Sequence, residues 1–117
     1  MVSDSWQVLS KNARVNSEER IVALLAELSS TSWSIVCFSE SRCRRQDKLL
    51  SEGHYLICEY DDVAASGVAI LIHYKFTRFI QRKHLVHDRV MAIDMKLGSR
   101  RVRIISVYVP HAGYDFQ

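Results

Sequence analysis

The sequence predicts a mixed α/β fold, one β-α-β crossover followed by a mainly antiparallel meander of strands. Three observations carry that expectation. Residues 17–29 hold apolar side chains at helical spacing, and seven other segments read as strands. Two of those strands, GVAILI at 67–72 and IISVYV at 104–109, are apolar on both faces, as strands covered on both sides are. A single Pro and four Gly among 117 residues leave little room for linkers, so one domain is expected.

The first strand candidate is Trp6 to Asn12, where Trp6 and Val8 alternate with polar residues. The helix follows. Asn16 or Ser17 can cap it, Glu18 and Glu19 sit at the positive end of its dipole, and Asn16 with Glu19 has the spacing of a capping box. Ile21, Leu24, Leu25 and Leu28 form its apolar stripe. Trp33 to Ser39 is a nearly continuous apolar strand, and Arg42 to Ser51 reads as a short helix or loop. Strands are then expected at His54–Tyr60, Gly67–Tyr74, Phe79–His84, Arg89–Leu97 and Arg101–Val109. The LGSR segment at 97–100 makes a hairpin turn between the last two. One helix of about 14 residues is only ~21 Å long. It covers part of one sheet face, so the other face is expected to be covered by a partner, a second copy or further sequence.

Composition narrows the function. No apolar run approaches the ~18 residues of a membrane span, and the N-terminus lacks a basic start followed by an apolar stretch. Three cysteines with no zinc or redox spacing suit a reducing compartment, so an intracellular protein, nuclear or cytoplasmic, is expected. The net charge of +3 is too small to imply nucleic-acid binding alone. Arg42, Arg44, Arg45 and Lys48 form the one basic concentration, which on charge alone reads as a solvated segment.

Three motifs place polar residues at the C-terminal ends of apolar strands, where α/β proteins build sites. They are Lys11-Asn12-Ala13-Arg14, Ser39-Glu40-Ser41-Arg42 and Val107-Tyr108-Val109-Pro110-His111. An Asn carboxamide and a Glu carboxylate from neighbouring strands are hard oxygen ligands that suit Mg²⁺ or Mn²⁺. Taken singly, Glu40 reads as a surface residue and Asn12 as a turn residue.

In order and spacing, these motifs resemble the N-terminal half of the endonuclease/exonuclease/phosphatase superfamily. The resemblance runs over residues 6–115 and is nearest to the endonuclease domains of non-LTR retrotransposons and the craniofacial-development-protein-like sequences. It implies the N-terminal half of a four-layer α/β sandwich, with residues 1–117 a partial domain truncated at its C-terminus. It also implies a Mg²⁺- or Mn²⁺-dependent phosphodiesterase acting on DNA or RNA. Glu40 would bind the metal, Asn12 would help organise it, and Tyr108 would face the scissile phosphate. Arg42 and His111 would lie near the substrate phosphate. Gln7, in Trp6-Gln7-Val8, is the competing candidate for the first-motif residue. The family's later D-x-N, Asp and Asp-His motifs have no counterpart in these 117 residues, so the chain alone is expected to be inactive. Two other readings stay open: a phosphatase or sphingomyelinase-like hydrolase of the same fold, and a non-enzymatic remnant or binding module using an uncovered sheet face.

Overall fold

The computed structural model describes residues 6–43, 46–59, 67–87 and 89–108. In chain order the elements are β1 (Val8–Asn12), α1 (Glu18–Leu28), β2 (Ile35–Ser39), β3 (Gln46–Leu49), β4 (Tyr55–Glu59) and β5 (Val68–Ile72). A 3-10 turn (Thr77–Phe79), β6 (Ile80–His87), β7 (Val90–Leu97) and β8 (Arg100–Val107) follow. They make two sheets. The first has the order β1-β2-β5-β4-β3 and the second β6-β7-β8. Strands β1 and β2 are parallel, with Val8 opposite Ile35 and Asn12 opposite Ser39, and α1 is the crossover between them. Every other pairing is antiparallel.

The period-2 geometry of strands sorts the core into two layers. On one face of the first sheet, Val36, Phe38, Leu56, Cys58, Ala69 and Leu71 pack against Ile21, Leu24 and Leu28 of α1. On the other, Ile35, Ile57, Val68, Ile70 and Ile72 pack against Met91, Ile93, Met95 and Ile104 of the second sheet. The layers are therefore helix, sheet, sheet. At the sheet margin, Lys83 of β6 pairs with Asp47 of β3, which also accepts a hydrogen bond from the Tyr55 hydroxyl at 3.0 Å.

This corrects the expected fold class. The chain is mainly β, with two sheets and, among the described residues, one α-helix; it does not form a four-layer α/β sandwich. Both faces of β2 and β5 are covered by the chain's own residues, because the last three strands separate into their own sheet and turn Met91, Ile93 and Met95 onto the first. The alternation in VMAIDM carries that signal, but alternation does not say which sheet a strand joins.

Local differences are informative. Ser17, not Asn16, caps α1: its backbone is extended and its hydroxyl accepts from Arg20 N at 3.3 Å, a contact worth about 1 kcal/mol. The cap's partner position is therefore Arg20, and Asn16 with Glu19 does not form the capping box. Residues 46–49, expected within a helix or loop, are edge strand β3, because pairing with Leu56 and Cys58 of β4 and burial of the following Leu50 outweigh a polar sequence. The 97–100 turn is a two-residue hairpin loop, with Leu97 opposite Arg100 and Gly98 at φ 63, a conformation that glycine adopts freely.

Candidate functional site

Parallel pairing of β1 and β2 brings Asn12 beside Ser39, so the carboxamide and the following Glu40 stand at the same edge of the sheet. Gln7 is at the other end of β1, where its backbone bonds Ser34: Gln7 N donates to Ser34 Oγ at 3.1 Å and Ser34 N to Gln7 O at 2.9 Å. Of the two first-motif candidates, Asn12 is therefore the one at the Glu40 edge.

Two residues just after β2 have left-handed backbones, Glu40 at φ 55 and Arg42 at φ 53. Such conformations are costly for side-chain-bearing residues and persist where surroundings enforce them. Here Ser41, fully buried between them, donates its N–H to Gly67 O at 3.1 Å and accepts from Val15 N at 2.9 Å. Ser41 Oγ and Arg42 Nε are buried without a hydrogen-bond partner. Two orphaned polar atoms beside a carboxylate are what an absent polar ligand would leave.

Tyr108 arrives from the second sheet. Ser106 tethers the end of β8, its hydroxyl lying 3.2 Å from Phe38 O and 3.4 Å from Ala69 O, in position to donate to either. Tyr108 N donates to Arg89 O at 2.9 Å. Its hydroxyl then donates to Glu40 Oε1 at 3.1 Å, joining motifs 68 positions apart.

The structure thus brings Glu40 and Tyr108 into contact and sets Asn12 at the same edge, exposed; Arg42 is half-buried two residues on. His111, Arg44 and Arg45 lie outside the described residues. Lys11, in the first motif, is engaged with Glu27 of α1 at 2.6 Å. Sequence reasoning missed Ser106, whose signal was a small polar residue on the inward face of IISVYV. It also missed Glu59, a fully buried carboxylate that shares the register row of Asn12, Ser39 and Val68.

Among the described residues no three His, Cys, Asp or Glu side chains gather as a metal cluster. The available donors are one carboxylate and one carboxamide. That set fits Mg²⁺ or Mn²⁺, which takes one or two protein oxygens and completes its shell with water and phosphate. No helix among the described residues is long and apolar enough to cross a membrane.

Two other ionisable clusters lie away from this edge. On the outer face of the second sheet, Asp94 accepts from Arg103 Nε at 2.7 Å and lies 2.7 Å from His84 Nε2. Arg103, then His84, hold its carboxyl well below the usual range. At the far end of the first sheet, His54 and His73 make tilted and edge-on ring contacts with Trp33 in an open cleft of about 920 Å³. Burial lowers both imidazole pKa values, aided for His73 by His54 and Lys75 and opposed for His54 by Glu52. Tyr74 N donates to His54 Nδ1 at 3.0 Å, and Lys75 N to His73 Nδ1 at 3.2 Å, bonds that only neutral rings can accept. A histidine whose folded pKa is depressed favours the fold while neutral. Stability is expected to be full above about pH 6.5. It should fall as pH drops from there through the lowered folded values. Urea titrations between pH 7.5 and 5 check this, and His54→Gln should flatten the slope.

No family model matches the chain, and no curated protein matches it.

Proposed function

We propose that the edge bearing Asn12, Glu40 and Tyr108 is one wall of a metal-dependent phosphodiesterase site that takes nucleic acid. The observation carrying this reading is the 3.1 Å hydrogen bond between Tyr108 and Glu40, which unites two strand-end motifs remote in sequence. Bound at Glu40, Mg²⁺ or Mn²⁺ would supply Lewis-acid stabilisation of charge on the phosphate. The chain's own residues do the rest of what this wall offers. Glu40 and Asn12 present oxygens, and the left-handed turn fixes where the carboxylate sits. Tyr108 holds an O–H at the carboxylate edge, able to donate to a phosphate oxygen once one arrives. Arg42, half-buried beside Glu40, would contact the nucleic-acid backbone through the exposed part of its guanidinium, without reading sequence. By the resemblance, His111 would serve the substrate phosphate as well.

Groups that act as a unit in catalysis are strongly non-additive. The water-activating Asp-His pair and the phosphate-binding Asn implied by the resemblance have no match in these residues. The expected result with the 117-residue chain is Mg²⁺-dependent binding of an oligonucleotide, weakened about tenfold in Glu40→Gln, without nicking of supercoiled plasmid. Fluorescence anisotropy reads the first and gel electrophoresis the second. Binding indifferent to Glu40→Gln would sink the metal-site reading; nicking abolished by Glu40→Ala would overturn the expectation of inactivity.

A non-enzymatic binding module is the second reading. Val8, Ile105 and Val107, each about half exposed, flank a cleft of about 320 Å³ between β1 and β8, and that edge would be its docking surface.

A further inference from the structure

Three residues beyond Glu40, Cys43 meets Cys58 of β4. Cys58 is the register partner of Gln46, and the Gln46 side chain reaches back to donate from Nε2 to Cys43 Sγ at 3.1 Å. Gln46 thus links the two cysteines, which lie close enough for each thiol to influence the other. Both belong to the apolar cluster beneath α1, at 3% and 0% exposure, and both are free thiols. Two neighbouring thiols bond once their sulfurs reach about 2 Å with the usual dihedral.

From this geometry we infer that Cys43 and Cys58 are a redox modification site, a dithiol that closes reversibly to a disulfide under a small neutral oxidant such as hydrogen peroxide. The partners divide the roles. The nearby Cys58 thiol and the hydrogen bond that Gln46 Nε2 donates to Cys43 Sγ favour the thiolate at Cys43, against burial. The nearby Cys43 and burial hold Cys58 protonated. Cys43 is therefore the sulfur oxidised first. Its thiolate attacks peroxide, an S–O bond forms, the O–O bond breaks, and the departing hydroxide takes a proton to become water. Cys58 sulfur then attacks the sulfenic sulfur. The S–S bond forms, the S–O bond breaks, and the leaving hydroxide accepts the Cys58 proton as a second water. Two thiols and one peroxide become one disulfide and two waters. A dithiol reductant reverses the change by exchange. Cys37 is the contrast: burial pushes its thiol up to about 11, with Ser106 opposing.

The bond would tie the turn carrying Glu40 and Arg42 to β4, and it stands whether or not that turn serves phosphodiester chemistry. The test uses the reduced 117-residue chain with excess hydrogen peroxide, followed by intact-mass and peptide analysis without reductant. Expected is the loss of two hydrogens, a crosslink joining the peptides of Cys43 and Cys58, a Cys37 that still alkylates on denaturation, and full reversal by dithiothreitol. In Cys58→Ser, dimedone should trap a sulfenic acid at Cys43. A crosslink through Cys37, disulfide-linked dimers, or sulfinic and sulfonic acids at Cys43 in place of the crosslink would each overturn the proposal, as would an unreacted wild-type pair.

Discussion

Ile93→Ala is expected to lower the unfolding free energy by about 2–5 kcal/mol. Ile93 is the middle of β7, fully buried, and lies with Ile35, Ile57, Ile70 and Ile72 in the layer between the sheets. Removing three carbons there forfeits their transfer energy and leaves a cavity between two sheets that relax little. The loss is a large share of the roughly 5–15 kcal/mol that holds a domain together. The control is Ile105→Ala, since Ile105 lies on the outer face of β8 and is 54% exposed. Its cost should stay within about 0.5 kcal/mol. Urea denaturation with an unchanged m-value measures both. Equal costs at the two positions would mean that the second sheet does not pack on the first.

Phe38→Ala is expected to cost about 3–5 kcal/mol. Its ring is fully buried on the opposite face, among Leu24, Leu28 and Leu71 beneath α1. Its carbonyl, by contrast, is within reach of the Ser106 hydroxyl and so faces the β8 tether. Alanine keeps that carbonyl. The variant should therefore lose stability while retaining, in the folded fraction, the approach of Tyr108 to Glu40. Denaturation reads the first effect, and the Tyr108 ring resonances, compared with those of Ser106→Ala, read the second. A Phe38→Ala protein of near wild-type stability would contradict the helix-on-sheet layer.

Much of this was legible in the residues. The stripe Ile21-Leu24-Leu28 and the acidic first turn give α1, and GVAILI gives a strand buried on both sides, whereas IISVYV, expected to be the same, leaves Ile105 and Val107 half exposed. What the sequence did not disclose was pairing. Nothing in the alternation of VMAIDM says that β7 leaves the first sheet, and that choice changes the fold class. Nor does QDKL announce a strand, because β3 owes its existence to β4 and to the tie between Asp47 and Lys83. The candidate site divides the same way. Glu40 and Tyr108 stand out as polar residues closing apolar strands. Their contact depends on how the second sheet packs and on the buried Ser106 hydroxyl, and the left-handed turns at Glu40 and Arg42 follow from the tertiary bonds of Ser41.

If Glu40, with Asn12 and Tyr108 at its edge, forms the proposed metal-accepting wall, a divalent ion should bind there. Adding substoichiometric Mn²⁺ to ¹⁵N-labelled protein tests it most directly, since the paramagnetic ion broadens only nearby amides. Selective broadening is expected at Asn12, Glu40 and Ser41, lost in Glu40→Gln and retained in Tyr108→Phe. Broadening centred on Asp47 or Asp94, or unchanged by Glu40→Gln, would contradict it.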